Sequence, residues 1–289
     1  MIYKQPNKLN TIGTVGLGLR SEFLGALLNY ENKPVDFLEV APENWMGIGG
    51  KRLNYFKSYS EIYPIICHGL SLSIGGPKPI DIDFVKKLKK FFKDFNVSAY
   101  SEHLSFCSDM NGHMYDLMPI PFTEEAVNFV SKRIIQVQDI LEQSLALENV
   151  SYYTNPLGEM SESEFINAVL SNTGCSLLLD INNVYVNSIN HNYDPYEFLK
   201  QIPKEKILYF HIAGHWKKDK NLIIDTHGDE VSSPVWHLLE NAYNRFGIIP
   251  TLLERDNDVP ELSNLLKETN KIKKIQQKID NSTGCLYGT

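Results

Sequence analysis

Short apolar runs of strand length recur along the whole chain: VGLGL (15–19), DFLEV (36–40), PIICHGL (64–70), VSAYSEHL (97–104), LALENV (145–150), SLLLDI (176–181), ILYFHI (207–212) and PTLLER (250–255). Runs so uniformly apolar, rich in Val, Ile, Leu and Tyr, suit strands covered on both faces, as in a parallel sheet. Helical patterns stand between them. Asp194-Pro195 and Ser233-Pro234 each set a cap residue before a proline, and Ser161 with Glu164 has capping-box spacing. Asp81 can cap a segment whose Val85, Leu88, Phe92 and Phe95 form one stripe, and Val127, Val130, Ile134 and Leu141 do the same in 123–143.

Strand, loop and helix eight times over predicts an α/β fold, a single (β/α)8 TIM barrel, ahead of a doubly wound open sheet. The 289 residues suit one barrel of about 250 residues plus loops. No Pro-rich or Gly/Ser linker divides them. The expected organisation is one domain, 1–289, with the barrel at about 13–278, a lysine-rich last helix at 260–278 and a frayed tail at 279–289.

A hydrophobic share of 43% and a charged share of 22% exclude disordered, collagenous and coiled-coil chains. The net charge of -7 offers no cationic excess to neutralise phosphates, so nucleic acid is not an expected partner. Cys67, Cys107, Cys175 and Cys285 form no CxxC pair and read as reduced thiols. With no signal-peptide core and no apolar run near the roughly 18 residues of a membrane span, a soluble cytoplasmic protein is expected.

In a parallel barrel, reactive groups come from the carboxyl ends of the strands. Here those ends carry Glu39 and Glu43; His68; Glu102 and His103; Glu148 and Asn149; Asp180, Asn182 and Asn183; His211 and His215; and Glu254, Arg255 and Asp256. Any one of them alone reads as a cap or a hydrogen-bonded structural residue. Converging on one rim, they would cost several kcal/mol per buried charge without compensation, and bound cations supply it.

Spacing sharpens this reading. At roughly 3.3 Å per residue, His211 and His215 would stand about 13 Å apart on a straight strand. Either a turn at Gly214 folds the second back or the two serve different ions. Asp225 and His227, two apart, share a face. Parity puts Asn182, rather than Asn183, on the side of Asp180. His, Asp, Glu and Asn donors without thiolate suit Fe, Mn, Zn or Mg.

Other chemistries lack their motifs: HExxH, a phosphate loop and a GxSxG elbow are absent. Cys67, pointing away from His68, reads as core, and Gly16 and Gly18 read as sites of tight packing. Trp45, Tyr152, Tyr153 and Trp216 follow rim positions and are candidates to line a substrate groove. His113, His191 and His237 are left as surface or packing residues.

Together, GLGLRSEF, LEVAPENW, HGLSLSIGG, SEHLSF, DLMPIPFTEEAV, ENVSYY, LLLDINNVYVNS, HIAGH, IDTHG and LLERDN, spread over residues 13–260, resemble the DUF692 family of multinuclear non-heme iron-dependent oxidative enzymes. The resemblance implies two or three iron ions, mixed Fe2+/Fe3+, at the barrel rim, with O2 as co-substrate. It implies oxidative modification of cysteine, or another residue, in a ribosomally synthesised precursor peptide, with a separate leader-binding partner protein. By position, His68, His103, Glu148, Asp180, His211 and Glu254 match the barrel-wall ligands, and Asn183, His215, Asp225 and His227 match a further site. The family thus favours Asn183 against parity, and a strand ending at Asp180 would reconcile the two. Glu148, Asp180 and Glu254 take catalytic roles, with Glu43, Glu102 and Arg255 supporting the ligands. Competing readings are a divalent-metal barrel enzyme like xylose isomerase or endonuclease IV, and a non-catalytic metal- or peptide-binding module.

Overall fold

The computed structural model describes residues 12–154 and 158–284. Each apolar run forms a strand: β1 (Val15–Gly18), β2 (Phe37–Val40), β3 (Ile65–Gly69), β4 (Ala99–His103), then a β5–β6 hairpin (Ser105–Ser108 and His113–Pro119) and β7 (Ala146–Glu148). β8 (Ser176–Asp180) and β9 (Ile207–Ile212) follow, with a second hairpin, β10–β11 (Trp216–Lys217 and Ile223–Ile224), before β12 (Thr251–Leu253). Eight of these strands pair in parallel in the order β1-β12-β9-β8-β7-β4-β3-β2, and β2 closes back onto β1. The fold is a TIM barrel.

The helices are α1 (Gly50–Ile62), α2 (Ile82–Asp94), α3 (Glu124–Leu141), α4 (Glu162–Thr173), α5 (Ile181–His191), α6 (Pro195–Gln201), α7 (Ser233–Phe246) and α8 (Leu262–Gly284). Asp81, Thr123 and Asp194 cap α2, α3 and α6 with side-chain hydrogen bonds, and Ser161 with Glu164 forms a complete capping box on α4. The Val85, Leu88 and Phe92 stripe is buried; Phe95 only partly so.

The structure corrects four details. Two short 3-10 turns, Ser21–Phe23 and Leu27–Asn29, stand where the first helix was expected. The connection there is short and holds Gly25 and Pro34, yet Phe23 and Leu27 still reach the core. Ser232, not Ser233, flanks α7, with no side-chain cap, and Pro234 lies inside the first turn. The last helix passes 278 and runs to Gly284 because Ile279 still finds a buried seat; residues 285–289, with Cys285, lie outside the described residues. Finally, hairpins follow β4 and β9 where loops were read.

The period-two alternation of the strands decides what the barrel holds. Phe37, Ile66, Ala99, Ala146, Leu178, Tyr209 and Leu252 point inward and pack with Ile12 into one buried cluster. Gly16 makes room for this floor: a Cβ there would lie 2.2 Å from the Phe37 ring. Two residues further along each strand, the inward positions are Glu39, His68, Ser101, Glu148, Asp180, His211 and Glu254. An apolar plug therefore underlies a polar layer.

A second buried acid lies outside the barrel. Glu162, at the start of α4, accepts hydrogen bonds from Tyr152 (3.2 Å), Asn187 (3.4 Å) and Tyr193 (3.5 Å), and burial pushes its carboxyl up to about 7. The folded protein keeps this proton where the unfolded chain has lost it, so stability falls as pH rises from the ordinary glutamate value to about 7 and then levels off. The span is on the order of 3 kcal/mol. Denaturant unfolding from pH 4.5 to 8 should show a steeper fall in the wild type than in Glu162→Gln, the difference in slope closing above pH 7; equal slopes would contradict the assignment.

Candidate metal centre

The polar layer is almost wholly withdrawn from solvent: Glu39, His68, Ser101, Glu148, Asp180, His211 and Glu254 are each 5% exposed or less. Glu148 Oε2 lies 2.9 Å from His68 Nε2 and 3.3 Å from His103 Nε2. The two imidazole nitrogens are 3.1 Å apart. On the other side, His211 Nδ1 lies 2.9 Å from Glu254 Oε2 and 3.9 Å from Asp180 Oδ2. Nearer the rim, His227 Nδ1 lies 3.1 Å from Glu254 Oε2 and 3.4 Å from Asp256 Oδ2.

Among the described residues, three donor groups can each gather around a cation: His68, Glu148 and His211; Glu148, Asp180, His211 and Glu254; and His227, Glu254 and Asp256. The groups overlap, with Glu148 in the first two and Glu254 in the last two. Carboxylates have two oxygens and can bridge neighbouring ions, so the overlapping groups are compatible with a multinuclear site.

The donor atoms also fail to satisfy one another. Glu148 Oε2, His211 Nδ1, His227 Nε2 and Glu254 Oε2 are buried with only imidazole–carboxylate approaches of 2.8–3.3 Å for company, and Asp180 Oδ2 and Asn183 Oδ1 are buried with no hydrogen-bond partner at all. Such atoms are rare in folded proteins, and six in one layer fit a site whose lone pairs are aimed at cations.

Local structure explains the aim. β8 ends at Asp180 and passes straight into α5, and Asp180 caps that helix with Oδ1 on Asn183 N (2.6 Å), leaving Oδ2 free. Asn149 clamps the Asp180 backbone, accepting from its N–H (2.9 Å) and donating to its carbonyl (3.1 Å). The expected end of the strand thus holds, but a helix follows instead of a loop. Helical geometry cancels the parity argument: Asn183 donates to Glu148 Oε1 (3.2 Å), while Asn182 donates to Asp225 (2.9 Å) and meets His215 Nδ1 (2.7 Å).

His215 does not fold back onto His211. The chain turns at Gly214, where a Cβ would sit 2.0 Å from the Asp229 carbonyl oxygen, and the His215 ring stacks on Tyr185. Asp225 and His227 do meet, at 2.8 Å, and Ser151 donates to the other Asp225 oxygen (2.9 Å). His227 takes a left-handed φ of 48°, and its carbonyl accepts from Asp256 N (2.9 Å).

Protons occupy the layer in the absence of cations. Burial disfavours the His68 imidazolium, but Glu148 outweighs it and raises His68 to about 9. Burial and the His68 charge press His103 down to about 4. Burial and Glu148 lift Asp180 to about 8. His211 and His227 are held well above the usual imidazole value, burial being overcome by Glu39 and Glu254 for the first and by Asp225 and Glu254 for the second.

Glu43, Glu102 and Arg255 touch backbone rather than donor atoms. Glu43 accepts from Leu70 N (2.8 Å) and Glu102 from Leu72 N (3.1 Å), steadying the turn whose Gly69 carbonyl holds His103 Nδ1 (3.0 Å). Arg255 bridges the Gly228 carbonyl and Glu268, tying the His227 turn to α8. A cavity of about 620 Å³ opens above the layer, lined by Trp45, Arg52, His113 and Cys107 along with His68 and His227. Of the aromatic groove candidates, Tyr152 is instead a buried anchor stacked on His191, while Trp45 faces the cavity.

A family model described as RiPP precursor modification enzyme MbnB/TglH/ChrH matches residues 14–277. The chain belongs to this family. A UPF0276 protein of Shewanella sediminis is 57% identical, with 92% of this chain and 95% of that protein covered. One from Pseudomonas aeruginosa is 47% identical over 92% and 94%. Among solved structures, an L-ribulose 3-epimerase superposes with a TM-score of 0.64 at 15% identity, covering 95% of this chain and 98% of that one. A xylose isomerase domain protein from Planctomyces limnophilus reaches 0.59 at 12%, over 93% and 99%. At such identities the likeness is one of fold alone.

Sequence reasoning set Glu39 among the strand-end groups without a part in holding the ligands, and gave Ser101 and Tyr209 no such part; the structure links all three to the donors. Counting two residues on from the apolar floor would have found Glu39 and Ser101; Tyr209 reads as core until its hydroxyl is placed.

Metal uptake should displace these protons, because donors bind only when deprotonated. Titrating zinc calorimetrically at pH 7 in buffers of different ionisation enthalpy should report net proton release, with affinity rising toward pH 9 as His68 and Asp180 lose theirs. Uptake without proton release would contradict the assignment.

Proposed function

We propose that this chain is a multinuclear iron-dependent, O2-using enzyme that oxidatively modifies cysteine, or another residue, in a ribosomally synthesised precursor peptide. The overlap of donor groups at Glu148 and Glu254 carries the reading, since shared carboxylates suit adjacent ions acting together. Nitrogen and oxygen donors without thiolate are compatible with iron, and membership of a peptide-modifying family makes a peptide the substrate.

His68, His103 and Glu148 would hold one ion; Glu148, Asp180, His211 and Glu254 a second; Asn183, His215, Asp225 and His227, the last beside the shared Glu254, a further one. Bound there, iron supplies the electron transfer to O2 that no side chain of the layer provides. The chain's residues do the rest. The apolar floor and closed wall keep water from the donors, Asn149 and Ser101 hold donor geometry, and the cavity admits an extended peptide segment beside His68 and His103. Asp180 Oδ2 is the atom that holds a proton until a cation replaces it.

The three described cysteines are free thiols, which suits a reducing cytoplasmic setting. Among the described residues no helix is long and apolar enough to cross a membrane. A separate leader-binding protein completes the proposed assembly.

Ferrous-loaded protein incubated in air with a Cys-containing precursor peptide should consume O2 and change the peptide's mass. Glu148→Ala should abolish the product and lower bound iron. Full activity with Mg or Zn under argon would refute the proposal.

A further inference from the structure

Three groups of the polar layer and one hydroxyl of the floor below form one unbroken line across the barrel. His68 Nδ1 lies 2.8 Å from Ser101 Oγ, Ser101 Oγ 2.7 Å from Tyr209 OH, and Tyr209 OH 2.7 Å from Glu39 Oε2. The same Glu39 oxygen lies 3.0 Å from His211 Nε2. Glu39, Ser101 and Tyr209 are all 2% exposed or less, so no solvent competes for these contacts.

The directions of the bonds follow by elimination. A tyrosine hydroxyl carries its proton at neutral pH, and at 2.7 Å from the acceptor-only Glu39 carboxylate it donates that proton to Glu39. Its oxygen can then only accept from Ser101. Ser101, having given its one proton to Tyr209, must accept from His68 Nδ1–H. Turning the Ser101 proton toward the Cys67 carbonyl, 3.4 Å away, would leave two oxygens facing each other at 2.7 Å with no proton between them. Glu39 also accepts from His211 Nε2–H. Both imidazoles therefore offer their other nitrogens, His68 Nε2 and His211 Nδ1, to the centre.

We infer that Glu39 is a positioning residue that, through Tyr209 and Ser101, sets which nitrogen both His68 and His211 present to a metal ion, locking two donor groups from a single carboxylate. The inference rests on the metal reading above but not on iron, O2 or a peptide. His103 is set separately, by the Gly69 carbonyl. It is the internal reference.

The test is a zinc titration of the full chain labelled with 15N-histidine, comparing wild type with Tyr209→Phe and Ser101→Ala. In the wild type, His68 Nδ1–H should give a slowly exchanging, hydrogen-bonded signal. Tyr209→Phe frees the serine hydroxyl to turn, so this signal should broaden or vanish while that of His103 stays, and zinc affinity should fall by roughly 10–100-fold. Ser101→Ala should do the same with Tyr209 and Glu39 intact. Tyr243→Phe, a buried tyrosine paired with Thr251 outside this line, should change neither. An unchanged His68 signal with unchanged zinc affinity in both variants would overturn the inference and leave the metal centre standing. A wild type that takes up no zinc would overturn the metal reading itself.

Discussion

The Glu148 carboxylate is 1% exposed in the middle of a closed barrel, above a floor of Phe, Ile, Ala and Leu. A charge in that position costs several kcal/mol unless opposite charge and directed hydrogen bonds surround it. His68 and His103 on one side, Asn183 on the other, and Asp180, His211 and Glu254 beyond are the response to that constraint. Imidazolium protons balance the layer in the free protein, and under the proposed function cations would take their place. Deleting one member leaves the rest uncompensated, so the layer behaves as a unit.

A two-residue step connects this chemistry to the fold. Floor residues and polar residues alternate on the same faces of the same strands, so the forces that close the barrel also bring seven polar side chains to one height. The floor gives the layer rigidity and dryness; the layer gives the floor a lid that solvent does not enter. Loops add what strands cannot: the left-handed turn at His227 and the Asp225 contact extend the donor chain toward the cavity.

The eight wall strands were legible because burial on both faces leaves a local mark, a continuous apolar run. The donor residues were legible because imidazoles and carboxylates at the ends of such runs have few structural explanations in common. Contacts across the barrel were not. Tyr209 looks like any core aromatic, and only closure of the barrel brings its hydroxyl, from β9, between Ser101 on β4 and Glu39 on β2. Strand parity does not apply to Asn182 and Asn183, because a helix begins at once after Asp180, and both reach candidate ligands: Asn183 meets Glu148, and Asn182 meets Asp225 and His215. The missing first helix has a local origin: the connection is short and holds Gly25 and Pro34, and Phe23 and Leu27 reach the core from short turns.

The structures that share this barrel at 12–15% identity carry the fold without fixing the chemistry, which the proposed function assigns to the donor layer. Iron-edge anomalous diffraction from crystals of protein loaded anaerobically with ferrous ion tests that layer most directly. At least two peaks are predicted, lying on opposite sides of Glu148 and each within bonding distance of one of its oxygens. A single peak, or iron bound away from Glu148, would contradict the account.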